Sequence, residues 1–229
     1  MKNKKEKQKD FVAKIFKILD DKNTDPLEKL LDLEEKNPKD IGLLQTLSHV
    51  YQQKGQNTEA LKYMNDAYKV DPNNYSTNFN MGNLYKKFKK YDEAIRFYEK
   101  SITLNKKLKE GFNAIGDIYF QNKELNKAVD YYKSSFKIDP KKTNITCIIR
   151  LAESLLMISV QKKDVKSMQE SKYYFEIINK IYPNNYSIIT YLININTNLG
   201  MKNEAIMLEN QRDGVIVIDR DSKEVTIRN

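Results

Sequence analysis

Phe112, Ile115, Gly116, Tyr119, Ala128, Tyr132 and Ser135, closed by Asp139 and Pro140, set a pattern that returns at a fixed interval. Shifted back by 34 residues it becomes Met81, Gly82, Tyr85, Ala94, Tyr98 and Ser101. Shifted again it becomes Leu44, Leu47, Ser48, Tyr51, Ala60, Met64, Ala67 and Pro72. A period of this length, with large, small and aromatic residues in set slots, marks an array of helical repeats.

Helix geometry explains the slots. Leu44, Leu47 and Tyr51 fall on one stripe of a helix. Ala60, Met64 and Ala67 make a second, shorter stripe beyond a break at Gly55. The small residues (Ser48, Gly82 and Gly116 on the first helix, Ala60, Ala94 and Ala128 on the second) let two backbones approach, and a neighbouring Tyr or Met fills the gap. One hairpin cannot bury its own face, so hairpins stack and each contacts chiefly its neighbours. Proline then ends the second helix, because it lacks an N–H and forces the preceding residue extended.

These residues resemble the tetratricopeptide repeat (TPR), whose pattern runs large-x-x-apolar-small-x-x-aromatic, small-x-x-x-aromatic-x-x-small, then Pro. The resemblance implies an all-α, right-handed solenoid of helical hairpins that binds proteins. In chain order it implies a degenerate half-repeat at 22–40 and repeats at 41–74, 75–108, 109–142, 145–185 and 186–213, the solenoid as a whole spanning 22–213. Lys106 stands where the second full repeat would close on Pro.

Residues 1–21 read as a basic arm and capping helix. Met1–Asp10 is a Lys-rich run expected to be mobile, and Phe11–Leu19 is a helix with one broad apolar side. That side either packs on the first repeat as a cap or lies on an anionic membrane. Asp25, Pro26 and Glu28 carry a helix-start signature, and Pro38 closes that helix. Past Pro140 the register slips, and residues 161–170 either extend two helices or form a loop. Gly214 is a plausible C-cap. Val215–Asp219 and Val225–Arg228 are β-branched runs, so 214–229 is expected to form a β-hairpin that packs on the last helices or pairs two chains into a homodimer.

Composition narrows the function classes. The net charge of +9 comes almost wholly from Lys, with Arg only at 96, 150, 212, 220 and 228. Nucleic-acid readers lean on Arg for bidentate contacts, so DNA is not expected as a partner and a solvated Lys face is the better reading. Cys147 is the single cysteine and implies no oxidising compartment. No apolar run is long enough to span a membrane, and no cleavable leader is seen, which points to a cytoplasmic protein. One histidine, His49, no phosphate loop and no metal-ligand spacing argue against an enzyme, and no cofactor is expected.

In the TPR family the first helices line a concave groove. The matching slots here hold Gln45, His49, Gln52 and Gln53, then Phe79, Asn80, Asn83, Lys86 and Lys87. Asn113, Asp117, Phe120 and Gln121 follow, then Arg150 and Glu153, then Tyr191, Asn194 and Asn198. An amide both donates to and accepts from a peptide backbone, which suits an extended peptide. The chain does not complete the clamp that grips a chaperone's terminal carboxylates: Glu110 stands where a cation is needed. The expectation is a non-enzymatic adaptor or assembly factor that holds a partner peptide or helix. A self-association module using the hairpin, and a basic RNA- or membrane-surface binder, are the alternatives.

Overall fold

The computed structural model describes residues 3–213 and the short pairs 217–218 and 225–226. They fall in two compact units, Met1–Lys107 and Leu108–Asn229.

The first unit holds α1 (Lys4–Asp20), α2 (Pro26–Lys36), α3 (Ile41–Gln53), α4 (Asn57–Val70), α5 (Tyr75–Lys87) and α6 (Tyr91–Leu104). α1 begins well before the stretch expected to be helical. Asn3 accepts from the Glu6 backbone N–H at 2.9 Å while the Glu6 carboxylate accepts from the Asn3 N–H at 2.8 Å. This reciprocal capping box satisfies two otherwise orphaned donors and makes Lys4–Asp10 helical where a mobile run was expected. α2 starts as anticipated, on an Asp25 cap with Pro26 at its first position. The core of this end gathers Ile15, Ile18, Leu30, Leu33, Leu43, Leu44 and Leu47.

The second unit holds α7 (Lys109–Gln121), α8 (Leu125–Ile138), a single 3-10 turn at Pro140–Lys142, α9 (Ile145–Lys162), α10 (Val165–Ile181), α11 (Tyr186–Asn198) and α12 (Lys202–Asp213). The extra residues between α9 and α10 lengthen both helices, to 18 and 17 residues, against 13 and 14 in the preceding hairpin. No Gly or Pro interrupts that run, so nothing in it favours a loop.

The hairpins are closed by one recurring turn. Gly55, Lys89, Lys123, Lys163 and Gly200 all adopt positive φ, between +53° and +76°. The next N–H reaches back five residues to a helix carbonyl: Gln56 to Tyr51 at 2.9 Å, Lys90 to Tyr85 at 3.0 Å and Glu124 to Tyr119 at 2.9 Å. This is the Schellman closure, and glycine is the residue that adopts its left-handed position without strain.

Inside each hairpin the small slots do what close approach demands. Ser48 Oγ donates to the Ala60 carbonyl and Ser171 Oγ to the Ala152 carbonyl, each at 2.8 Å. A Cβ on Gly82 would sit 2.5 Å from the Tyr98 ring, and one on Gly116 would sit 2.7 Å from the Tyr132 ring. A second aromatic ladder was not legible in the repeat pattern. Tyr51 stacks on Tyr63, Tyr85 on Phe97 and Tyr119 on Tyr131, with centroids 5.3–5.6 Å apart.

The expected β-hairpin needs correction. Within 214–229 only Val217–Ile218 and Val225–Thr226 are described, paired antiparallel with Val217 opposite Thr226 and Ile218 opposite Val225. Two residue pairs do not make a stable hairpin in water. The fold therefore stands as all-helical, with twelve α-helices among the described residues. Neither role expected of the hairpin, packing on the last helices or joining two chains, has structural support. Gly214 lies outside the described residues.

Candidate functional site

The first helix of each hairpin carries the residues singled out above. It packs one side on its partner helix.

In the first unit, α3 and α5 bring five of those residues to one cleft of about 330 Å³: Gln45, His49, Gln52, Asn80 and Asn83. Several of the amides already hold the scaffold. Gln45 Nε2 donates to Thr77 Oγ1 at 2.8 Å, and its Oε1 accepts from Ser76 Oγ at 3.4 Å, which ties α3 to the start of α5. Asn83 Oδ1 accepts from the Tyr98 hydroxyl at 2.8 Å. Gln52 Nε2 lies 3.5 Å from Ser48 Oγ. Asn80, half-buried, and His49, exposed, also line the cleft, and the Gln53 amide nitrogen lies 3.1 Å from His49 Nε2.

Four candidates of this unit, Gln53, Phe79, Lys86 and Lys87, do not line the cleft. The Phe79 ring tilts onto Tyr98 with centroids 5.5 Å apart, so it serves packing. Lys87 Nζ donates to the Gln52 carbonyl at 3.1 Å, where a cation satisfies the carboxyl end of α3. The cleft also has lining that sequence reasoning missed: Leu19 from α1, Gly42 and Thr46 from α3, and Met64 from α4. Leu19 had a signal. It belongs to the apolar residues of α1 that exceed what one packing face can use.

In the second unit the candidates lie along α7, α9 and α11. Asn113 is half-buried, and its Oδ1 has no hydrogen-bond partner among the described residues. Asp117 accepts from the Tyr132 hydroxyl at 2.7 Å. The Arg150 guanidinium lies over the Phe120 ring, 4.6 Å from its centroid. Tyr191 stacks on Phe175 at 4.6 Å and donates to Glu153 at 3.3 Å. Asn194 is exposed, and its carbonyl accepts from Asn198 Nδ2 at 2.7 Å.

Burial raises the thiol and the buried phenols of this unit. It pushes the Cys147 thiol up to about 11, with the nearby Asp117 charge adding to the effect. A buried neutral thiol is a poor nucleophile. Burial, then Asp117, raise the Tyr132 phenol far above its ordinary range. No group of three or more His, Cys, Asp or Glu among the described residues could hold a metal ion, and no described helix is long and apolar enough to cross a membrane.

Comparison with known families decides what the hairpins are. Residues 76–108 match one description of the tetratricopeptide repeat, and residues 41–74 and 110–142 match another. Residues 41–142 are a run of three tetratricopeptide repeats. TPR proteins are in general interaction scaffolds without catalysis of their own. None of the curated proteins matches the sequence.

Solved structures share the TPR fold at low identity. One is PilF of Pseudomonas aeruginosa, 17% identical, with a TM-score of 0.70, covering 92% of this chain and 93% of that one. Another is YrrB, described as a TPR protein with an unusual peptide-binding site, 13% identical, with a TM-score of 0.64, covering 81% and 91%. A third is MamA, 16% identical, with a TM-score of 0.61, covering 74% and 88%. At these identities the likeness is one of fold.

Proposed function

We propose that this protein is an adaptor or assembly factor that holds a segment of a partner protein against its first helices, in the cleft of the first unit. The observation that carries the reading is the cleft itself, where Asn80 and His49 share the lining with the apolar Leu19 and Met64. A peptide laid there finds amide donors and acceptors for its backbone and apolar surface for its side chains. The likeness to a protein with a peptide-binding site on the same fold supports it. Phe79 and Lys87 support the walls of this cleft, and Asn113, Asp117, Arg150, Tyr191 and Asn194 make a separate proposed set on the first helices of the second unit.

The test is selection of a random-peptide display library on the intact chain. The wild type is expected to enrich peptides whose binding falls at least about tenfold in Asn80→Ala with His49→Ala, while the melting temperature stays unchanged. Peptides bound equally by that variant would place the site elsewhere. Binding of RNA homopolymers that collapses between low and moderate salt, and is indifferent to those two substitutions, would favour a phosphate-binding surface instead.

A further inference from the structure

α1 presents more apolar surface than its packing consumes. Phe11, Ile15 and Ile18 face the core of the first unit. Val12, Phe16 and Leu19, spaced i, i+4 and i+7, form a separate stripe that is 40%, 61% and 40% exposed. Carried toward the amino end of α1, the same stripe continues as Lys9 and Lys5, three and seven residues before Val12. Lys5, Gln8, Lys9, Val12, Ala13 and Phe16 together line one shallow depression with two cations and no carboxylate in its lining, while at its edge Asp40 Oδ2 accepts from Gln8 Nε2 at 3.3 Å. Glu6 is turned to its own helix cap.

The other end of the stripe is not a free edge. Leu19 lines the cleft that holds Gln45, His49, Asn80 and Asn83, and that cleft contains no carboxylate either. A path about 21 Å long, the rise of fourteen helical residues, therefore runs from a cationic end over three apolar side chains into an amide-lined opening.

We infer that this path is one docking surface and that it takes an amphipathic helix of a partner protein: apolar side chains on Val12, Phe16 and Leu19, carboxylates at the end that meets Lys5 and Lys9. The inference rests on the groove reading for where the partner chain goes beyond Leu19. α1 has no unpaired backbone edge, so it recognises a partner through side-chain ridges and grooves, as helix pairs do. The charge at one end complements acidic residues and fixes the direction of the bound helix. A lipid bilayer fits less well, because seating Leu19 in lipid would bring the polar groups of His49, Gln45 and Asn80 beside it out of water.

The experiment uses the full chain and a fluorescein-labelled helical peptide of about five turns. Its one apolar face is leucine, one end carries glutamates, and the rest is Ala and Gln. A control peptide has lysines in place of the glutamates. In fluorescence anisotropy the acidic peptide is expected to bind at least about tenfold more tightly than the basic one. Phe16→Ser, and Lys5→Glu with Lys9→Glu, should each weaken it about tenfold or more with unchanged melting, since these side chains are exposed. If Asn80→Ala with His49→Ala has no effect while Phe16→Ser abolishes binding, the groove reading fails and the α1 surface stands. If Phe16→Ser and the charge reversals change nothing, the α1 surface is overturned. No binding of the acidic peptide, equal binding of the basic one, or Phe16-dependent binding only to phosphatidylserine vesicles also overturns it.

Discussion

The Tyr132 hydroxyl donates to the Asp117 carboxylate across 2.7 Å, from the second helix of a hairpin back to its first. Thirty-four residues earlier Tyr98 makes the same bond to the neutral Asn83 amide across 2.8 Å. Each acceptor follows the glycine against which the ring lies. The two repeats thus hold one geometry with a charged acceptor in one and a neutral acceptor in the other. Tyr132→Phe is expected to cost about 1.5–3 kcal/mol and Tyr98→Phe about 0.5–1.5 kcal/mol, because hydrogen bonds to charged groups are the stronger class. Urea unfolding at neutral pH measures both, and equal costs would show that the Asp117 charge adds nothing.

Gly82 and Gly116 leave no room for a side chain. The added carbon of Gly82→Ala would fall 2.5 Å from the Tyr98 ring, and that of Gly116→Ala 2.7 Å from the Tyr132 ring. Both rings are fully buried, so neither swings away cheaply. Each substitution should destabilise by about 1–3 kcal/mol, as overpacking does, outweighing the gain in helix propensity from Gly to Ala. Thermal melts decide it.

The hairpin turns predict the opposite sign. Lys89 and Lys123 hold φ at +59° and +61°, where a side chain is strained, while Gly55 and Gly200 fill the corresponding turn position without strain. Lys89→Gly and Lys123→Gly should therefore be neutral to stabilising, by up to about 1 kcal/mol. Gly55→Ala should destabilise by about 1 kcal/mol or more. Unchanged helix content by circular dichroism would confirm that the turn alone is affected.

The chain should be labile to alkali. Burial raises the Cys147 thiol from its ordinary 9 to about 11, and the Tyr63 and Tyr174 phenols from 10 to about 12, with Tyr132 raised further. The folded state therefore keeps protons that the unfolded chain gives up. Their stabilisation is complete below pH 9 and is lost as pH rises, first through the thiol between 9 and about 11, then through the phenols from 10 to about 12. The urea midpoint should be flat through neutral pH and fall above 9, and Cys147→Ala should move the onset toward 10, where Tyr63 and Tyr174 begin to titrate in the unfolded chain. At about pH 8 Cys147 should react with a disulfide reagent only after denaturation.

The helical hairpins were legible in the sequence because close packing of two helices admits few residue types at the point of contact. Gly82, Gly116, Ala94 and Ala128 are small for that reason, and the recurrence at 34 residues declares it without coordinates. The helix starts at Asp25 and Gly55's turn were legible for a local reason, since caps and left-handed turns select their residues one at a time. What only the tertiary structure decided are relations between residues whose types do not betray them. Tyr63, Phe97 and Tyr131 read as ordinary helix positions until they are found stacked on Tyr51, Tyr85 and Tyr119. Lys89 and Lys123 carry no mark of a left-handed turn; the neighbouring helices impose it. Gln45, Asn83 and Lys87 looked like groove residues by slot, yet each is engaged by Thr77, Tyr98 or the Gln52 carbonyl. Leu19 looked like part of a cap and lines the cleft. A slot in a repeat fixes the direction of a side chain, but whether its polar atoms are already used depends on the residue that the next helix places opposite, and that is a property of the packed chain.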